Sequence, residues 1–122
     1  MAYTTINKST DYFNTVLYNG NDASSHAITG VGFRPDWVWI KARNSTKPHC
    51  LFDAVRGVQK FVSSDSNGAE TSDSTTLLSF DSDGFTIGSS GKINAAGHND
   101  ISWNWRAGGG QGSSNTDGTI NT

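Results

Sequence analysis

Apolar and polar residues alternate most regularly over Phe33-Arg34-Pro35-Asp36-Trp37-Val38-Trp39-Ile40-Lys41. A period of two places Trp37, Trp39 and Lys41 on one side of a strand and Val38 and Ile40 on the other. Large apolar groups on both sides predict a strand that is covered, at least in part, on both faces. A second stretch near the end behaves alike. In Ile101-Ser102-Trp103-Asn104-Trp105-Arg106-Ala107, the residues Ile101, Trp103, Trp105 and Ala107 share one face, and Ser102, Asn104 and Arg106 the other. All four tryptophans of the chain lie in these two stretches, which are expected to be central strands of one core.

Shorter apolar runs separated by turn residues fill the rest. Thr15-Val16-Leu17-Tyr18 reads as a strand followed by the turn Asn19-Gly20-Asn21-Asp22, and His26-Ala27-Ile28-Thr29 as a strand stopped by Gly30 and Gly32. His49 to Asp53 makes another strand and Val58 to Ser63 extends again, before a long polar loop over Ser64 to Ser74. Thr76 to Phe80 and Gly84 to Gly88 flank Asp81-Ser82-Asp83-Gly84, a hairpin in which Gly84 supplies a left-handed residue and Asp81 bonds the backbone ahead of it. Lys92-Ile93-Asn94 is a further short extended piece. About eight strands at this spacing predict an all-β sandwich or barrel. The wide separation of two central strands favours a jelly-roll-like β-sandwich over a meander. Residues 1–14 read as an extended N-terminal arm with a short turn near Ser9–Asp11, residues 15–107 as the sandwich, and residues 108–122 as a Gly/Ser-rich linker. Such a linker leads to the expectation that the 122 residues are the front of a longer protein.

Composition sharpens the picture. Ten Asp but one Glu, and only four Leu, disfavour helix interiors. Charged residues at 16% and aromatics at 11% argue against charge-driven disorder and supply core material. A net charge of −2 offers no basic field for a phosphate backbone, so a nucleic-acid partner is not expected. No apolar run approaches the roughly 18 residues of a membrane helix, and Met-Ala-Tyr-Thr-Thr is no signal peptide, so the chain is expected to be made in a cytoplasm with no membrane partner. Cys50, alone, reads as a small semi-buried hydrophobe.

Candidate chemistry is sparse. Asp53 and Arg56 bracket a turn and read as a structural bridge, with a carboxylate clamp as the alternative. Asp81 and Asp83 open a calcium-loop pattern that lacks its third acid and its closing Glu; a hairpin turn is the reading taken. His26, His49 and His98 have no metal-ligand spacing, and no Ser, His and Asp fall in a triad order, so neither a metal, a cofactor nor a catalytic residue is expected. The tryptophans are read as core, because each indole removes 150–250 Å² from water on burial. The alternative is a sugar-stacking platform on Trp37 and Trp103.

The blocks Gly30 to Lys41, Leu51-Phe52-Asp53-Ala54-Val55-Arg56-Gly57, Ser79 to Gly88, Ile101 to Gly109 and Ser113 to Gly118, in this order, resemble a domain recurrent in tailed phages of marine or cyanobacterial hosts. The opening Ala2-Tyr3-Thr4-Thr5-Ile6 with Tyr12 to Thr15 is similar as well. Arg106 stands where Lys is commoner. The resemblance implies a tail-fibre or virion surface protein with a concanavalin-like sandwich, located on the tail or particle surface, and no catalytic residues. From it follow the expected partners: other virion proteins, copies of the same chain (fibres are habitually trimers) and, in a lectin-like alternative, host surface glycans. The arm would dock onto the particle through Tyr3, Ile6, Tyr12 and Phe13.

Overall fold

The computed structural model describes residues 8–108. Tyr3, Ile6 and the linker beyond Gly108 lie outside the described residues. Within them the protein is all-β. A single 3-10 turn, η1 (Ser9–Asp11), precedes nine strands: β1 (Phe13–Asn19), β2 (His26–Ile28), β3 (Trp37–Ala42), β4 (Cys50–Asp53), β5 (Lys60–Phe61), β6 (Thr71–Ser72), β7 (Leu77–Asp81), β8 (Gly84–Ile87) and β9 (Asn99–Trp105). They form a four-stranded antiparallel sheet in the order β1-β9-β3-β4, a three-stranded antiparallel sheet β2-β8-β7, and the small pair β5-β6.

The two tryptophan strands are indeed neighbours at the centre of the larger sheet, with Trp37 opposite Trp105 and Trp39 opposite Trp103. The buried cluster takes Val38, Ile40 and Phe52 from this sheet and Ile28, Leu77, Phe85 and Ile87 from the smaller one. The core therefore lies between two layers, as in a β-sandwich. Phe52 and Phe85 are wholly buried, each worth about 1.5–3 kcal/mol relative to an exposed ring.

Several expectations change, and the stretch Ser64 to Ser74, read as a loop, carries β6. First, β1 begins at Phe13, two residues inside the segment read as an arm, and pairs with β9 along its full length. Second, the Lys92–Asn94 piece is a turn, and Ile93 and Asn94 plug the core from it. Third, Gly84 serves closeness rather than handedness: its φ is 159°, and a Cβ there would lie 1.9 Å from the Ile28 carbonyl oxygen. The hairpin itself stands, with Asp81 opposite Gly84 and Ser82-Asp83 as its loop. Its carboxylates act differently from expectation. Asp81 accepts from the Ser79 and Thr86 hydroxyls, whereas Asp83 reaches the Gly30 and Gly32 amides at 3.0 and 2.7 Å.

Candidate functional site

The largest departure concerns the tryptophans. Val38 and Ile40 face the core, as do Asp100, Ser102 and Asn104 of β9, all fully buried. Trp37, Trp39, Trp103 and Trp105 consequently stand on the outer face of the four-stranded sheet. Trp37 is 39% exposed, and the other three are half-buried. The reading of the indoles as core is corrected. The space between two packed sheets is only ~10 Å deep, and four indoles at directly opposed positions overfill it. Outside, they pack against one another instead.

That packing forms a continuous ladder. Phe13 leans on Trp105 at 5.0 Å between ring centroids, Trp105 stacks on Trp37 at 4.6 Å and 25°, and Trp37 stacks on Trp39 at 6.5 Å and 16°. Trp103 meets Trp39 edge to face at 5.4 Å. His49 closes the row; its Nδ1 accepts a 2.9 Å hydrogen bond from Trp39 Nε1. Register completes the face. Leu17, Ile101 and Lys41 share one cross-strand row, and Leu17 is 57% exposed. Trp39, Trp103 and Trp105 surround a depression of about 250 Å³.

Two charged groups belong to this face, and both are already engaged. Lys41 Nζ donates to the carbonyl oxygens of Ala42 and Ser45 at 2.6 and 2.8 Å. Asp53 accepts from the Arg56 amide at 2.7 Å and from its Nε. Burial opposes ionisation of Asp53, but the bonds from Arg56 and its charge outweigh that and hold the carboxyl below its usual range. Arg56 also donates through Nη2 to Leu51 O at 2.9 Å and faces Glu70 at 3.6 Å. The pair thus fastens the β4 turn to its own strand.

The other candidates do not converge. Tyr12 is exposed beside the ladder, with the Arg106 guanidinium 5.8 Å from its ring centre. His26 bonds Asn94 through Nδ1 at 2.9 Å, and His98 Nδ1 is buried without a partner. Burial pushes the Cys50 thiol up to about 12, so it stays protonated at ordinary pH. Asn94 was not singled out by sequence. It donates to Ala23 O and Gly88 O and accepts from the Asn21 amide, tying three loops together. The Gly-, Ser- and Ala-rich stretch around it, Gly88 to Gly97, carries no periodic signal that would have distinguished it.

No curated protein and no solved structure matches the chain in comparisons with known proteins. One family model matches residues 8–122, that is, everything described above and the segment after it. The chain therefore belongs to the family described as a domain of unknown function, DUF7483.

Proposed function

We propose that this chain is a non-catalytic virion structural domain, set at the head of a tail fibre or fibre-like appendage of a tailed phage, with a concanavalin-like jelly roll as the finer description of its sandwich. The observation that carries the reading is the pairing of an outward, charge-poor aromatic face with carboxylates committed to structure. Asp36 accepts from the Ala107 amide, Asp73 from Thr75 and Lys92, and Asp53, Asp81 and Asp83 hold the loops described above. Such a surface suits packing against other proteins, and such acids suit a fixed scaffold. The ordered blocks from Gly30 to Gly118 supply the virion part of the proposal. In it the N-terminal arm docks onto neighbouring virion proteins through Tyr3, Ile6 and Tyr12. Phe13, although part of the sheet, continues that apolar line onto the ladder. Peptide mass spectrometry of purified particles of the encoding virus is expected to find this protein at fixed stoichiometry through density banding. Its absence from intact particles would overturn the proposal.

A second reading, a lectin-like module for host surface glycans, draws support from the same indoles. Stacking on a sugar requires an open ring face, and here the rings cover one another, which is why it ranks second. On a glycan array it predicts binding that Trp37→Ala and Trp103→Ala abolish in folded protein. A blank array with the native chain would remove it.

A further inference from the structure

We infer that Asn67 is a site of spontaneous covalent modification: the backbone nitrogen of Gly68 attacks its side-chain amide, and the ageing chain carries aspartate and isoaspartate there. The sequence holds two Asn-Gly steps, Asn19-Gly20 and Asn67-Gly68. Glycine after asparagine leaves the attacking nitrogen unshielded by any Cβ, so sequence alone makes the two steps equivalent. The structure separates them. Asn19 ends β1 opposite Asn99, and the Gly20 amide donates to His98 O at 3.0 Å. Gly20 is also packed so closely that a Cβ there would lie 2.1 Å from Ala95 O. The ring that must form swings the following nitrogen to the same side as Cγ, a setting outside both strand and helix, and β9 holds Asn19 extended. Asn67 is under no such hold. Residues 64–70 are exposed and belong to no strand, and the Gly68 amide donates at 3.0 Å to the hydroxyl of exposed Ser66, which water can replace without disturbing the sheets. The comparable acidic step, Asp83-Gly84, is closed off: the Asp83 carboxylate accepts from the Gly30 and Gly32 amides, and Gly84 is pressed against Ile28.

The step balances with water alone. Gly68 N gives its proton to hydroxide and attacks Asn67 Cγ, once rotation about the Asn67 bonds brings the two atoms to ~3–3.5 Å. The new C–N bond replaces the bond from Cγ to Nδ2, and Nδ2 leaves as ammonia after taking a proton from water. Water then opens the five-membered imide. Cleavage between Cγ and the nitrogen gives aspartate. Cleavage at the backbone carbonyl carbon gives isoaspartate, with the main chain routed through Cβ and Cγ. Nothing is oxidised or reduced. Either product adds a negative charge to a chain whose formal net charge is −2. The charge falls on a loop engaged on both flanks: Asp65 Oδ1 accepts from the His49 amide at 3.3 Å, and Glu70 faces Arg56 at 3.6 Å. Because His49 closes the indole ladder, the loop that changes charge is the one tied to that end of the outer face. The inference stands or falls separately from virion membership.

Incubation of the folded full chain in mildly alkaline buffer, followed by peptide mapping with mass spectrometry, tests the inference. The Asn67 peptide should gain about 1 Da and separate chromatographically into aspartate and isoaspartate forms, while the Asn19 peptide stays unchanged. In heavy-oxygen water each product should carry one heavy oxygen. Gly68→Ala places a Cβ that meets only Ser66 Oγ, at 3.2 Å, so the variant is expected to keep the native circular dichroism. It should slow the conversion roughly tenfold or more, because the nitrogen is then shielded. In concentrated urea, where β1 no longer pairs, Asn19 should convert at a rate close to that of Asn67. A folded chain in which Asn19 converts as fast as Asn67 overturns the inference. So does an Asn67 that stays intact over the time in which the urea-unfolded chain converts. A Gly68→Ala protein that converts at the native rate, or aspartate formed without isoaspartate, overturns it too, since either result means direct hydrolysis rather than attack by the backbone.

Discussion

Asp100 occupies the inner face of β9 between Tyr18 of β1 and Ala42 of β3, fully buried, with neither carboxylate oxygen hydrogen-bonded. Burial is the dominant influence and pushes its carboxyl up to about 6, against the pull of Lys41, Arg43 and His26. The unfolded chain ionises this group near pH 4. A folded pKa above the unfolded one means that protonation favours the fold. The contribution is fully present below pH ~4, fades as pH rises to ~6, and stays absent above. The penalty at neutral pH is on the order of 3 kcal/mol. Asp100→Asn should therefore stabilise the protein at pH 7, and its advantage over the native chain should shrink as pH falls from ~6 to ~4. Urea unfolding of both proteins at several pH values measures this. An advantage that does not vary with pH would mean that Asp100 is protonated throughout or finds a partner. Asp53 and Asp73 run the other way, since both are held below the usual carboxylate range, and they weaken the fold only in stronger acid.

At the scale of elements, the pattern of alternation was informative about where strands lie and uninformative about which face is inside. Trp37–Ala42 and the Ile101–Trp105 part of β9 were legible because their period of two is unbroken, whereas Asn99 and Asp100, which open β9, carry no such signal and Ala107 lies beyond its end. Inward orientation was not, because hydrophobicity ranks indole above Ser and Asn. Yet Ser102 and Asn104 go inward because their side chains bond carbonyls of the adjacent β1: Ser102 Oγ to Val16 O at 3.3 Å, Asn104 Nδ2 to Asn14 O at 3.1 Å. Small polar groups with local partners fit the inner layer, and the ladder of rings compensates outside. The same limit applies to Gly84, whose place in a turn was plain but whose contact with β2 is a tertiary fact. Gly84→Ala must push β2 away from β8, and a loss of about 3 kcal/mol in chemical denaturation is expected, the upper range for overpacking. Gly30→Ala meets nothing within 4 Å but sits at φ 89°, so its loss should be smaller and purely conformational. Equal losses at the two sites would contradict the close-approach argument. Asp83→Ala should leave the β7–β8 hairpin paired while speeding amide exchange at Gly30 and Gly32, whose N–H groups it accepts.

For the whole molecule, the decisive feature is that the last strand among the described residues is the second in its sheet. β9 pairs with β1 on one side and β3 on the other, joining residues as far apart as Phe13 and Trp105. Without β9, strands β1 and β3 are not neighbours, and the layer that covers Phe85 and Ile87 falls into a lone strand and a hairpin. A hairpin alone is marginal at best in water. The sheet therefore closes late, once nearly all of the chain is available, and its long loop closures place folding in the millisecond-to-second range. A chain ending at residue 98 should consequently show no cooperative unfolding transition, whereas one ending at residue 108 retains every strand pairing described and should unfold cooperatively near the native midpoint. Stopped-flow refolding of the 108-residue chain should be a single slow phase, with the Trp37, Trp39, Trp103 and Trp105 fluorescence change following it, because the ladder exists only when β3 and β9 meet. Indole stacking that forms in the dead time, ahead of β9 docking, would show that the rings cluster before the sheet and guide its pairing rather than result from it.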